Sequence, residues 1–302
     1  MDSGAISKEL RLKRVQRTIS RMPSLSTTVM KVLEICNDPN TSPNDLNKVV
    51  SLDPVLTGKV LRLVNSAYYS LPSRVSSLTR AIIMLGMNTV KNMALSTAVL
   101  ESLGPRITNQ GLDMDQFWTH SICTGVTAKA LAELAGVQGM QREEFFVAGL
   151  LHDLGKIPLN NRFPDEYDEA VALARDTQTP LYAAEEAVFG FDHRMVGGLI
   201  TEKWRLSGGL GDAIRCHHDP EQAGEENRLI AACVGLANAY ANLLDVGFSG
   251  DPYPAEKDFM SLLKWVGVPW EKISALSERT MEEINKAKIF LQVVDKDKGE
   301  PT

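Results

Sequence analysis

Five histidines, His120, His152, His193, His217 and His218, are all that this 302-residue chain contains, and they lie within about a third of its length. One of them heads a His-Asp pair, His152-Asp153, inside the stretch FFVAGLLHDLGKIPL at 145–159. An imidazole nitrogen and a carboxylate oxygen are both good ligands for transition metals. Consecutive side chains on a regular helix diverge by about 100°, so the pair is expected to grip two sides of one ion rather than to bond each other. A lone histidine on an apolar face is usually a satisfied core residue. Five gathered around a His-Asp pair point instead to a bound metal, or to the remains of a metal site.

The elements that must position these residues read as helices throughout. Long segments with 3.6-residue periodicity alternate with short capped turns, which predicts an all-α protein. An apolar stripe of Leu12, Val15, Ile19 and Met22 predicts a helix over 6–22 that packs on its own domain, with Pro23 ending it. Val29, Val32, Leu33 and Cys36 predict the next. Ser42-Pro43 and Asp53-Pro54 each set a capping residue before a first-turn proline, opening helices over 43–51 and 54–67. Asn65, Ser66, Tyr68 and Tyr69 then crowd polar groups at a helix end. Ser77 and Gly86 bracket a short helix, and Asn88 is expected to cap one over 89–103. Further helices are expected over 115–134, 142–153, 164–176, 179–189, 193–206, 209–218, 225–244, 257–266 and 270–291. His152 and Asp153 fall at the end of the 142–153 helix, with Gly155 breaking it. The turn-rich passage 104–111 is the expected boundary between a smaller N-terminal helical lobe, 1–105, and a larger domain, 106–302, that carries the histidines. The last residues, 294–302, are expected to fray.

Charge follows the same division. Residues 1–105 hold 13 Lys+Arg against 7 Asp+Glu, and the remainder 19 against 31. Opposite fields of this kind favour docking of one lobe on the other. The basic residues lack interleaved aromatics, so nucleic acid is not the expected partner. No apolar run reaches the ~18 residues needed to span a bilayer, and the N-terminus lacks the apolar core of a signal peptide. Cys36, Cys123, Cys216 and Cys233 form no CxxC pair and read as reduced thiols. A cytoplasmic protein without a membrane partner is expected.

Several of these segments resemble a known group. FWTHS at 117–121, LLHDLGK at 150–156, Glu185 or Glu186 ahead of FGFDH ending at 193, the following HRMVGGLI, and IRCHHDP at 214–220 are similar to the HD phosphohydrolase superfamily. MPSLSTTVMKVLEI, LVNSAYYS and LTRAIIMLG in the N-terminal half resemble the HDOD domain, a divergent bacterial branch tied to signal transduction. The likeness runs over roughly residues 18–245 and implies an HD-like helical bundle preceded by an HDOD-type lobe. It implies His120, His152 and Asp153 as ligands of a divalent transition metal, iron or manganese. Active HD enzymes add a late aspartate, and Asn238 stands where it would align. An amide carbonyl is a weaker ligand than a carboxylate. The related HD-GYP phosphodiesterases, which cleave cyclic di-GMP, hold two or three metals. His193, His217 and His218 match their additional ligands, with Asp153 placed to bridge two ions roughly 3.5–4 Å apart. Their glycine-tyrosine-proline motif is replaced here by Asp219-Pro220-Glu221-Gln222. Lys156 stands where active relatives steady a phosphate with lysine, and it reads equally as an exposed charge complementing a helix dipole. Asp153 and Lys156 are thus the candidate catalytic residues.

Three functions follow from this reading. The first is a regulatory module without efficient turnover, whose partner is another signalling protein. The second is a metal-dependent phosphohydrolase or phosphodiesterase acting on a nucleotide or cyclic dinucleotide. The third is a di-iron redox or oxygen sensor, since His-rich sites with a bridging carboxylate suit iron.

Overall fold

The computed structural model describes residues 7–103, 112–251, 253 and 256–295. Among them there is no strand, and the expected all-helical architecture is what the chain adopts. The first half comprises α1 (Lys8–Arg21), α2 (Thr27–Cys36), α3 (Pro43–Ser51), α4 (Pro54–Val64), α5 (Leu78–Leu85) and α6 (Met87–Leu103). The second begins with α7 (Met114–Leu134), α8 (Arg142–Leu151), α9 (Lys156–Arg162), α10 (Pro164–Thr177), α11 (Leu181–Phe189) and α12 (His193–Trp204). It continues with α13 (Gly209–Cys216), α14 (Arg228–Leu243), α15 (Glu256–Val266), α16 (Trp270–Ser274), α17 (Ser277–Ala287) and α18 (Ile289–Asp295).

Local chemistry sets most of these boundaries. Ser42 accepts from the Asp45 amide while the Asp45 carboxylate accepts from the Ser42 amide, a reciprocal capping box. Asp53, Ser77 and Asp192 accept first-turn amides of α4, α5 and α12 in the same way. Three expectations need correction. Asn88 caps nothing, because α6 already starts at Met87, directly after the positive-φ residue Gly86. The helix expected over 54–67 stops at Val64, where the Asn65 amide nitrogen donates to the Leu61 carbonyl and competes with the helix ladder. The helix expected over 270–291 is three pieces, α16, α17 and α18, because α17 packs on α7 whereas α18 packs on α4 and α6.

The packing is built around α7, α8 and α14, which lie against one another. Gly149 of α8 meets Gly125 of α7, where a Cβ would come within 2.7 Å of the opposing Cα, so these two helices touch backbone to backbone. Helix α6 is buried on nearly every side and joins the halves, packing on α2, α4 and α5 and also on α8 and α18. The ends of the chain cross over. Helix α1 rests on α9 and α12, with Arg11 donating to the Val188 carbonyl at 2.8 Å. Helix α18 rests on α4 and α6. The expected break at 104–111 and the tail from 296 onward lie outside the described residues. None of the described helices is long and apolar enough to cross a membrane.

Candidate metal centre

Helix α7 carries His120, the α8–α9 corner carries His152, Asp153 and Lys156, α12 opens with His193, and His217 and His218 follow α13. His152, His217 and His218 therefore sit just beyond helix C-termini instead of within helices. That placement changes what adjacent residues can do. The regular helix ends at Leu151, and across the turn His152 Nε2 lies 3.1 Å from Asp153 Oδ2. The two groups come close without bonding each other, as expected of a pair that shares one ion. The contact lacks hydrogen-bond geometry, leaving His152 Nε2 and both Asp153 oxygens without a hydrogen-bond partner among the described residues. Gly155 does not act as a helix breaker either; its φ is −65° and it precedes α9. Its use is proximity, since a Cβ there would strike the His193 carbonyl. Gly235 of α14 does the same for the carbonyl of His217.

The side chains form two triads. Ligand atoms of His120, His152 and Asp153 lie within 4.8 Å of one another, and so do those of His193, His217 and His218. Asp153 stands between them: its Oδ1 is 3.4 Å from His193 Nε2 and 3.8 Å from His217 Nε2. Backbone and carboxylate partners orient the rings from behind, as is usual for metal-binding imidazoles. His152 Nδ1 donates to the Gly149 carbonyl at 2.8 Å, which turns the Nε2 lone pair toward Asp153. His193 Nδ1 lies 2.6 Å from Glu185 Oε2, and that oxygen also accepts the His193 amide at 2.9 Å. Of the two acidic residues ahead of FGFDH, the buried one is thus Glu185, while Glu186 faces solvent. Asn238 Oδ1 lies 2.8 Å from His120 Nε2.

Every one of these groups except His218 is fully or almost fully buried. Burial, reinforced by His152, pulls His120 down to about 3. Burial likewise holds His217 and His218 well below the ordinary imidazole value. For Asp153, burial alone would raise the carboxyl, but His152 and Lys156 outweigh it and keep the group well below the usual carboxylate range. Burial lowers His193, yet the Glu185 carboxylate more than compensates and leaves it raised. Imidazoles around an ionised carboxylate make a donor set fitted to a divalent transition metal, and the buried His152 Nε2 and Asp153 Oδ1, which have no hydrogen-bond partner among the described residues, accord with that fit.

Lys156 is neither exposed nor at a helix C-terminus, which corrects the dipole reading. It is fully buried at the start of α9, with Nζ 2.7 Å from Asp153 Oδ2 and donating to the carbonyl and hydroxyl of Ser249 at 3.1 and 3.2 Å. Ser249 belongs to a segment that reads in the sequence only as a loop. The same loop brings buried Asp251, which accepts the Leu181 amide at 3.2 Å. Burial, the largest influence on Asp251, raises its carboxyl. Neither residue announces itself in the sequence, because a Gly-rich loop carries no period to follow. Tyr182, whose ring lies 4.7 Å from that of His218 and 4.7 Å from the Arg194 guanidinium, covers the half-exposed histidine.

Comparison with known proteins accords with this architecture. An HDOD domain protein of unknown function from Geobacter sulfurreducens is 26% identical and superposes with a TM-score of 0.74 over 94% of this chain and 99% of that one. A candidate phosphohydrolase from Shewanella amazonensis SB2B shares the fold at 21% identity, with a TM-score of 0.69 and coverage of 93% and 97%. An uncharacterized protein of Treponema pallidum is 23% identical over 264 residues, or 87% of this chain and 50% of that protein. The chain thus spans about half the length of the curated relative it matches. The HDOD domain model matches residues 22–220, and the chain belongs to the HDOD domain family.

Proposed function

We propose that this chain is a regulatory module that holds a divalent transition metal in a closed centre and has no efficient phosphodiesterase turnover. The observation that carries this reading is burial. His120, His152, Asp153, Lys156, Glu185, His193 and His217 are each at most 1% exposed, and a phosphodiester must reach the ion to be cleaved. Two further features support it. Asn238 supplies a neutral oxygen beside His120 where a carboxylate would strengthen the site. The ammonium of Lys156 is already engaged by Asp153 and Ser249, leaving it poorly placed to steady a phosphate.

His120, His152 and Asp153 would hold one ion, and His193, His217 and His218 a second, with Asp153 shared. A bound metal would supply Lewis acidity and could lower the pKa of a coordinated water. The chain's own residues do the positioning: Gly149 and Glu185 orient two rings, Lys156 neutralises part of the Asp153 charge, and the packed helices exclude water. Output from such a module would pass to another signalling protein, in keeping with the branch of signal transduction that the N-terminal motifs resemble.

The phosphodiesterase reading keeps one specific support, the convergence of both triads on a single carboxylate. Protein purified without chelators, assayed for metal content and for hydrolysis of bis-p-nitrophenyl phosphate with added manganese or iron, separates the two. Bound metal with no turnover is the expected result. Metal-dependent turnover abolished by Asp153→Ala would replace the regulatory reading with the enzymatic one.

A further inference from the structure

The polar cluster at 65–76 takes no part in the metal centre, and it lines a cleft in the N-terminal half. There the end of α4, the loop from Asn65 to Ser76 and Ile289 of α18 enclose a cleft of about 980 Å³. Arg62 and Arg74 line it from two different segments, and neither guanidinium meets a carboxylate or hydrogen-bond acceptor among the described residues. Among the described residues no acidic side chain lines the cleft, although the chain as a whole carries a net charge of −6. Two free hydroxyl donors stand beside the arginines: Ser73, whose oxygen accepts from Arg80 at 3.3 Å, and Ser76. Leu61, Leu71 and Val75 supply an apolar wall.

The cleft is held in shape before any ligand arrives. Asn65 ties the loop to the end of α4, accepting the Val75 amide at 2.7 Å and donating to the Val75 carbonyl at 2.8 Å and the Leu61 carbonyl at 2.7 Å. That closes residues 65–75 into a ring, and Ser70 within it takes a left-handed φ of 45°. A preorganised loop lowers the entropy lost on binding. Arg62 lies in the last turn of α4, where a cation also complements the helix dipole. That role needs no second arginine lining the same cleft from another segment. Planar guanidinium groups match phosphate oxygens bidentately, and ligand sites typically enclose about 300–1,000 Å³.

We propose that this cleft binds a phosphorylated small molecule of nucleotide size, with Arg62 and Arg74 on the phosphates, Ser73 and Ser76 as further donors, and Leu61, Leu71 and Val75 against the organic body. Calorimetric titration of the 302-residue chain with ATP, pyrophosphate and adenosine tests this. Saturable ATP binding is expected, tighter than that of pyrophosphate, with adenosine not binding measurably. Arg62→Ala/Arg74→Ala should weaken ATP by roughly tenfold or more, with melting temperature and metal content as checks that the fold is intact. Ser76→Asp, an exposed substitution that places a carboxylate at the rim, should weaken ATP as well and keeps the test decisive if the double variant fails to fold. Absence of saturable ATP binding by wild-type protein would overturn the proposal. So would equal affinity in a folded double variant, or capture of an acidic peptide such as poly-glutamate in place of ATP, which would make the cleft a protein-docking surface.

Discussion

Asn238 is where the proposed regulatory centre and a catalytic one would part company. Its carbonyl oxygen lies 2.8 Å from His120 Nε2, so Asn238→Asp puts a negative charge beside a ligand without moving the backbone. A dication favours that charge strongly in a water-poor site. We expect higher metal affinity by titration, together with a lower melting temperature of the metal-free protein because a buried carboxylate then lacks a counter-ion. A lower melting point with unchanged metal binding would mean that Asn238 serves only to hydrogen-bond His120. Lys156→Met should also destabilise the metal-free protein. It strips the buried Asp153 carboxylate of its ammonium partner, and losing one member of a buried pair costs about 3–5 kcal/mol, measurable by urea unfolding. Wild-type stability in that variant would show that the ion pair contributes nothing net. The buried imidazoles also set a pH dependence. His120 falls from 6.5 to about 3 in the folded chain, and His217 and His218 fall as well. The unfolded chain therefore takes up protons first as pH drops, so the stability these groups provide is complete above about 6.5 and is lost progressively below it. His193 is raised, so its contribution is full below the unfolded value and fades as pH rises through the folded one. Three groups outweigh one, and the melting temperature of chelator-treated protein should fall between about pH 7 and about pH 5. A flat or rising trend there would contradict the buried, neutral assignment.

At the scale of elements, the centre depends on how closely helices approach. Gly155 presses the α8–α9 corner onto the first turn of α12, and Gly235 presses α14 onto the residue that ends α13. A methyl group at either point meets backbone, which cannot rotate away. Gly155→Ala and Gly235→Ala should each destabilise by roughly 1–3 kcal/mol or more and lower metal content, because the affected contact carries His193 or His217. Unchanged metal stoichiometry in both would uncouple the helix spacing from the site. Helix existence was legible from local pattern: Ser42, Asp53, Ser77 and Asp192 each cap a helix where the sequence predicts one. Helix continuity was less so. The single helix expected over 270–291 is three, because α16, α17 and α18 serve different neighbours: α17 packs on α7, whereas α18 reaches α4 and α6. Periodicity reports that a residue is apolar, and which neighbour it serves depends on the rest of the fold.

At the scale of the whole molecule, the two lobes expected from charge and from the 104–111 break are tied at both ends. Helix α1 of the first half seals α9 and α12, while α18 of the second seals α4 and α6. One apolar cluster runs from Val15 to Val294. Separate melting would expose both ties, so we expect one calorimetric transition with matching van't Hoff and calorimetric enthalpies; two resolved transitions would mean that the lobes melt independently. What the sequence determined by itself was the all-helical class, most helix starts and the set of residues able to ligate a metal. Those depend on interactions a few residues long, such as caps, first-turn prolines and the 3.6-residue period. What only the tertiary structure decided was who meets whom. It set His120 beside Asn238, 118 positions later, and turned Lys156 from an exposed charge into a buried partner of Asp153 and Ser249. It also closed the centre behind a loop that carries no pattern of its own. These outcomes rest on contacts between distant segments, and such contacts are fixed by how helices pack together, which no local run of residues encodes.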